Sequence, residues 1–335
     1  MPKVLGVDLG TANTFIYSKG KGIILRTPSV VSVDSETREV VAVGRSAKRM
    51  LGKTPEGLQA FRPLKNGVIA DFDVTAKMIR TFLEMTESIT FFSRPILIVS
   101  VPYDVTEVEK RAVEDVVFAA GARSVALIEE PLAAAIGSGM RVGSPEGSMI
   151  IDIGGGTTEV AVMSLGGIVA SRSVRVAGDA LDEAIISYMR SEKSILIGDV
   201  TAEQLKMRIG SAHPSADNGS QEIFGRELRT GHAISDIITS ADIREAMKEP
   251  LDQIIYAIKT TIEDTPPELS SDIYDRGITL SGGGAYLRGI GALITQKTGL
   301  KVHIAKSPFD SVCIGLGRII ESEKMMGDLL KYRGK

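Results

Sequence analysis

Asp-x-Gly-x-x-x-Thr occurs twice in this chain, at Asp8 to Thr14 within VLGVDLGTANTFIY and at Asp152 to Thr158 within MIIDIGGGTTEVAV. In each copy an apolar run delivers an aspartate, then glycine and small hydroxyl residues, and apolar character returns at once. Such a stretch reads as strand, tight turn, strand. The glycine punctuation that follows is also shared, with Gly166-Gly167 answering Gly20 and Gly22. Strand–helix alternation then follows each copy: a capping box at Thr106 to Glu109 opens a helix in the first, and Asp179 and Thr201 head helices in the second. A motif this short recurs by chance in turns, but a shared hairpin layout does not. The pattern predicts two α/β halves related by duplication, each a sheet covered by helices. A length of 335 residues agrees with two domains.

A glycine-rich turn between strands lets backbone N–H groups converge on an anion, because no Cβ blocks the approach. Thr11, Thr14, Thr157 and Thr158 add hydroxyl donors. A P-loop or a dinucleotide fingerprint would run from strand to helix; here the chain returns as a strand. Two such hairpins face to face would grip a polyphosphate from both sides. An aspartate opens each loop, and two carboxylates beside phosphate make electrostatic sense with Mg²⁺ between them. Taken singly, either aspartate would read as an ordinary turn residue.

A third glycine cluster, Gly282-Gly283-Gly284, lies between an expected strand and an expected helix. It reads either as a surface for a flat base or ribose, with helix amides near phosphate, or as a tight connection. Gly315 and Gly317 sit inside a helical pattern expected over Asp310 to Lys331, where close approach of a ligand or of another helix would explain them. In IEEPLAAAIG, Glu130 is expected at the N-cap of a short helix opened by Pro131. It either complements the helix dipole or aims into a cleft to orient or deprotonate water.

Composition narrows the class. A net charge of −3 without a dense Lys/Arg run gives no footprint for nucleic acid. One cysteine, Cys313, rules out an internal disulfide framework. His213, His232 and His303 lack zinc-ligand spacing. No apolar run is long enough to span a bilayer, and the early first strand leaves no signal peptide. A cytoplasmic protein is the expectation.

With VDLGTANT, IEEPLAAAIG, IDIGGGTTEV and LSGGG in place, the chain resembles the superfamily of actins, heat-shock chaperones and sugar kinases. Within it, GKTPEGLQAFRPLKNGVIADFDVT, TAEQLKMRIG and TPPELSSDI resemble the MreB family of bacterial actins, from Val4 to about Gly317. The resemblance implies a duplicated actin-like (ribonuclease H-like) α/β fold around a nucleotide cleft. It places the first half at 1–145, with a smaller subdomain at about 32–74, and the second at 146–309, with a smaller subdomain at about 186–250. A last helix at 310–335 is implied to pack back on the first half. It further implies ATP with magnesium clamped by Gly10, Thr11, Ala12 and Asn13 on one side and Gly154, Gly155, Gly156 and Thr157 on the other. Asp8 and Asp152 would hold the metal through water. Glu130 matches the residue associated with the hydrolytic water, with Asp152 and Thr157 beside it in the catalytic set. Gly282, Gly283 and Gly284 match the adenosine loop, and Glu203 and Lys206 flank the nucleoside. The sequence departs from the family's small residues at Ser311 to Gly317 and diverges from His213 to Ile234, which puts contacts made there in question.

Phe91 and Phe92 stand side by side in SITFFSRP, a helix-to-strand loop with mostly polar flanks. They either tuck into the core or wedge into a lipid interface. Members of the family attach through an N-terminal amphipathic helix, through this loop, or through both. Here Met1 directly precedes the first strand, so the loop is the expected anchor. A chaperone ATPase would need a further substrate domain and a sugar kinase a catalytic aspartate with a sugar pocket. The resemblance therefore implies an ATPase of the bacterial cytoskeleton that associates with itself into filaments of paired protofilaments at the inner face of the cell membrane and sets rod shape by guiding the cell-wall elongation machinery. A related filament for plasmid or organelle positioning, or a non-polymerising chaperone-like ATPase, is the alternative.

Overall fold

The computed structural model describes residues 3–89 and 93–331. It begins with strands β1 (Val4–Leu9), β2 (Asn13–Ser18) and β3 (Gly22–Pro28). Strands β4 (Val31–Asp34), β5 (Val40–Val43) and β6 (Leu58–Phe61), with helix α1 (Arg45–Lys48), form a small separate sheet, and β7 (Leu64–Lys65) with β8 (Val68–Ile69) a short hairpin. Helix α2 (Phe72–Met85), β9 (Ile96–Val101), α3 (Glu107–Ala119), β10 (Ser124–Glu129) and α4 (Glu130–Ser138) follow. The pattern restarts with β11 (Ser148–Ile153), β12 (Thr158–Ser164), β13 (Gly167–Val174) and α5 (Gly178–Ser191). Strand β14 (Ile195–Leu196), α6 (Asp199–Ile209), β15 (Ser220–Glu227), β16 (Ala233–Thr239) and α7 (Ser240–Ala246) come next. The chain continues through α8 (Lys248–Glu263), α9 (Pro267–Arg276), β17 (Ile278–Ser281), α10 (Ile290–Thr298) and β18 (Val302–Ile304) to α11 (Ser311–Glu321) and α12 (Glu323–Lys331).

The duplication is explicit in the sheets. One five-stranded sheet runs β3-β2-β1-β9-β10 and the other β13-β12-β11-β17-β18. In each, the central strand pairs antiparallel with the strand after the turn and parallel with the strand that returns later. The register puts Asp8 opposite Phe15 and Asp152 opposite Glu159, so each aspartate lies one residue before its strand ends. Both central strands are buried beyond their first residue, as expected where both faces of a sheet are covered.

Helices α4 and α11 join the halves. Their side chains (Ala133 to Ile136, then Val312, Leu316, Ile319 and Ile320) share one apolar cluster with Ile98 of the first sheet and Ile150 and Ala161 of the second. The crossing is tight because neither helix has a side chain at the contact: a Cβ at Gly315 would overlap the Ala133 carbonyl oxygen, and one at Gly137 the Ser311 carbonyl. Gly317 lies flat against the Tyr17 ring. The interior glycines of α11 are therefore explained by packing rather than by a ligand.

Several expected boundaries move. The last helix breaks at Ser322, whose extended backbone ends α11 and whose hydroxyl accepts the Met325 N–H to start α12. Glu129, not Glu130, is the N-cap of α4, so Glu130 and Pro131 are its first two residues. Helices α5 and α6 start at Gly178 and Asp199, just ahead of the expected Asp179 and Thr201. After Gly282 the chain makes a 3₁₀ turn at Gly283–Tyr286, and α10 waits until Ile290, so no α-helix N-terminus follows the glycines directly.

Candidate functional site

A cavity of about 510 Å³ separates the two sheets, lined by both aspartate loops and by the third glycine cluster, a size usual for small-ligand sites. Asp8, Gly10 to Asn13, Glu130, Asp152, Gly154 to Thr157, Glu203, Lys206 and Gly282 to Gly284 all reach it. Phe91 and Phe92 lie outside the described residues.

The two aspartate loops meet. A Cβ at Gly155 would stand 2.6 Å from Cβ of Ala12, and one at Gly156 would press on the Thr11 hydroxyl. The first loop is braced by Ser29, which donates from Oγ to the Gly10 carbonyl (2.7 Å) and from its N–H to the Ala12 carbonyl (3.0 Å). The second is braced from α5: the N–H groups of Gly178 and Asp179 donate to the carbonyls of Gly154 and Gly155 at 3.2 and 2.8 Å. A third segment enters between them. The β7–β8 turn, Asn66-Gly67, has both residues at positive φ (51° and 77°), as hairpin turns of this length favour. The Gly67 N–H donates to Thr11 Oγ1 at 3.0 Å, and a Cβ at Gly156 would stand only 3.0 Å from the Asn66 backbone.

Behind the loops stand acids with little solvent. Asp8 and Asp152 are 7% and 6% exposed. Burial lifts the Asp8 carboxyl to about 7, helped by the charges of Asp152 and Asp310 and opposed by the Ser100 hydroxyl. Burial lifts Asp152 to about 6, against the hydroxyl hydrogen bond from Ser281. Glu130 is pushed well above the usual carboxylate range by burial first, then by Asp8, Glu159 and Asp152. Such a group of desolvated like charges favours a cation among them. No three acidic, histidine or cysteine side chains cluster closely enough, among the described residues, to hold a metal unaided. That donor set fits Mg²⁺, which keeps its waters and takes one or two carboxylates plus phosphate.

At the mouth, cations from one side meet acids from the other. Lys48 pairs with Glu203 at 2.8 Å, and Arg62 pairs with Asp179. Lys206 is held by Asp182 and the Gly178 carbonyl at 2.8 and 2.7 Å. Glu203 is therefore engaged across the cleft, while Lys206 is locked within its own half. Three cations (Lys48, Arg62, Lys206) face six acids (Asp8, Glu130, Asp152, Asp179, Asp182, Glu203) around the cavity. At the far end Gly283 leaves room against the Phe309 ring, which packs edge-on to Phe15 at 5.1 Å between centroids. The two rings make an apolar wall of the cavity beside the glycine cluster.

Sequence reasoning missed Lys48, Arg62, Asp179, Asp182 and the Asn66-Gly67 turn. The signal for the turn was present, since Asn-Gly between apolar residues is the strongest short hairpin cue. It also missed Glu159, which is 1% exposed and lifted to about 7 by burial.

A family model described as MreB/Mbl protein matches residues 2–328. The chain belongs to the MreB/Mbl family. It is 48% identical over 328 residues to the cell shape-determining protein MreB of Escherichia coli, covering 96% of this chain and 94% of that one. It is 43% identical to the cell shape-determining protein Mbl of Bacillus subtilis, covering 95% and 96%. Among solved structures, MreB5 of Spiroplasma citri bound to AMPPNP superposes with a TM-score of 0.93 at 34% identity, covering 99% of both chains, and its ADP-bound form with 0.92. The MamK double helical filament shares the fold (TM-score 0.81, 21% identity, covering 96% of this chain and 99% of that one). The actin-like fold and the family expected from the sequence both hold. No helix among the described residues is long and apolar enough to cross a membrane.

Proposed function

We propose that this chain is a filament-forming ATPase of the bacterial actin cytoskeleton that sets cell shape by guiding wall synthesis at the inner face of the membrane. The observation that carries the nucleotide part is the meeting of Gly155 with Ala12: two glycine loops from duplicated halves close on one cavity, with buried carboxylates behind them. The family's MreB5 member was solved with AMPPNP and with ADP, which supports the same class of ligand here. Shape determination and wall guidance are supported by the names of the curated relatives, and self-assembly by the MamK filament of the same fold.

In this reading the Gly10 to Asn13 and Gly154 to Thr157 loops hold the polyphosphate through their backbone N–H groups, except that of Gly154, which closes its own loop on the Thr157 carbonyl at 2.9 Å; the adenosine lies along Gly282 to Gly284 with Glu203 and Lys206 beside it. Asp8 and Asp152 would hold magnesium through water, which supplies neutralisation of phosphate charge. Glu130 orients the attacking water and accepts its proton, a task suited to a carboxylate whose proton affinity is raised. Thr157 holds that water from the opposite half. Catalysis is then positioning and charge stabilisation, as in phosphoryl transfer generally. Phe91 and Phe92 supply the membrane contact, multiplied along a polymer by avidity.

The test is Mg-ATP hydrolysis against protein concentration with anionic liposomes present. A threshold concentration for onset is expected; strict proportionality from the lowest concentration would exclude assembly-coupled turnover. Glu130→Ala should keep nucleotide binding and lower kcat about 100-fold. An equal loss of binding would make Glu130 structural.

A further inference from the structure

Glu159 has no role in the reading above, yet it is placed with unusual care. It stands on β12 opposite Asp152 and is 1% exposed. A buried carboxylate is costly unless its oxygens are satisfied, and here the donors come from different halves. The Ser173 hydroxyl on β13 donates to Oε1 at 2.5 Å, and the Tyr103 backbone N–H, in the turn after β9, donates to Oε2 at 3.3 Å. The seam continues outward: Asp104 accepts the Ser173 N–H at 3.1 Å, and Arg175 pairs with Glu109 of α3 at 2.9 Å.

This seam lies directly beneath the phosphate end of the cavity. Pro102, next to Tyr103, and Thr157, two residues before Glu159, both line the cavity. Gly67 sits between them: a Cβ there would stand 2.8 Å from Thr157 Cγ2 and 3.0 Å from the Pro102 ring.

We propose that Glu159 is a positioning residue for hydrolysis: by tying the Pro102–Asp104 turn of one half to β12 and β13 of the other, it sets the Thr157 hydroxyl against Glu130. The proposal rests on the ATP-hydrolysis reading. It makes span, not charge, the property that matters. Gln keeps the length, and its amide can accept from Tyr103 and donate to Ser173. Asp keeps the charge but is one methylene too short to reach both halves.

Steady-state hydrolysis of Mg-ATP by the full chain, with Kd for a fluorescent ATP analogue and the thermal midpoint, tests this. Glu159→Asp and Glu159→Ala should lower kcat about tenfold or more with Kd within about threefold, while Glu159→Gln stays within about threefold of the parent in kcat. Parent-like kcat in Glu159→Asp would overturn the proposal, and so would a Gln variant as slow as the Ala variant. Should the Glu159 variants fail to fold by circular dichroism, Ser173→Ala removes one strand of the tie from outside. A fall in its kcat at unchanged Kd supports the proposal, and an unchanged kcat overturns it. A parent protein that hydrolyses nothing fails the ATPase reading itself, which separates the two.

Discussion

Asp8 shows how the carboxylate proposed to hold magnesium is at the same time a liability to the fold. Its carboxyl titrates near 7, Asp152 near 6 and Glu159 near 7, all above the ordinary carboxylate range because of burial. Between about pH 4 and 7 the folded chain thus holds protons that the unfolded chain has lost, so these groups lower stability as pH rises through that window. Asp8→Asn should raise the thermal midpoint of nucleotide-free protein, and more near pH 7.5 than near pH 5, while weakening magnesium-dependent nucleotide affinity. A midpoint that falls at both pH values would show that the buried charge is compensated. Gly315 is the opposite case, a residue whose role is to be absent. A Cβ there would overlap the Ala133 carbonyl, so Gly315→Ala should cost about 3 kcal/mol in urea unfolding. A cost within about 0.5 kcal/mol, as at ordinary surface sites, would mean that α4 and α11 slide apart freely. Residues of both kinds were legible in part: the aspartates stood out by repetition, whereas Glu159 did not, because nothing local distinguishes a tethering carboxylate from any other in a strand.

Elements were legible where one face is buried and the caps are local. The Thr106 capping box matches the sequence expectation, with Glu109 Oε2 accepting the Thr106 N–H at 2.8 Å. The β15–β16 hairpin was not, because its outward face carries Phe224 and Ile237, 75% and 64% exposed, and so blurs the in–out alternation a strand normally shows. Ion pairs between elements distant in sequence were equally invisible. Lys48 at the end of α1 reaches Glu203 of α6, and Arg62 reaches Asp179 of α5, each spanning the mouth of the cavity. Partly exposed pairs contribute about 0.5–1 kcal/mol each, so removing both should speed nucleotide release by about tenfold. Stopped-flow chase of a fluorescent nucleotide from Lys48→Ala/Arg62→Ala checks this; an unchanged off-rate would mean that the pairs do not restrain opening.

Across the whole molecule the duplication was the most readable feature, since two copies of one loop already implied two halves with a site between them. What the repeat could not show is how the halves are fastened, because the α4–α11 crossing depends on backbone contact rather than on residue pattern. The proposed membrane attachment belongs to this scale too, since avidity along a polymer would multiply each weak contact. Replacing Phe91 and Phe92 together by Ser should abolish flotation of the protein with anionic liposomes and leave hydrolysis in solution intact; undiminished flotation would place the contact elsewhere. The docking of α11 has one more consequence. It packs against β1, β2, β3 and β9, with Leu316 filling the space above Gly6, although about 300 residues of chain (10 to 310) separate β1 from α11. A ribosome adding about 5–20 residues per second exposes the floor of the first half well before its lid is made. The nascent chain must therefore wait, roughly 15 to 60 seconds at those rates, with an apolar sheet face uncovered, and this is the interval in which a chaperone would matter most to it.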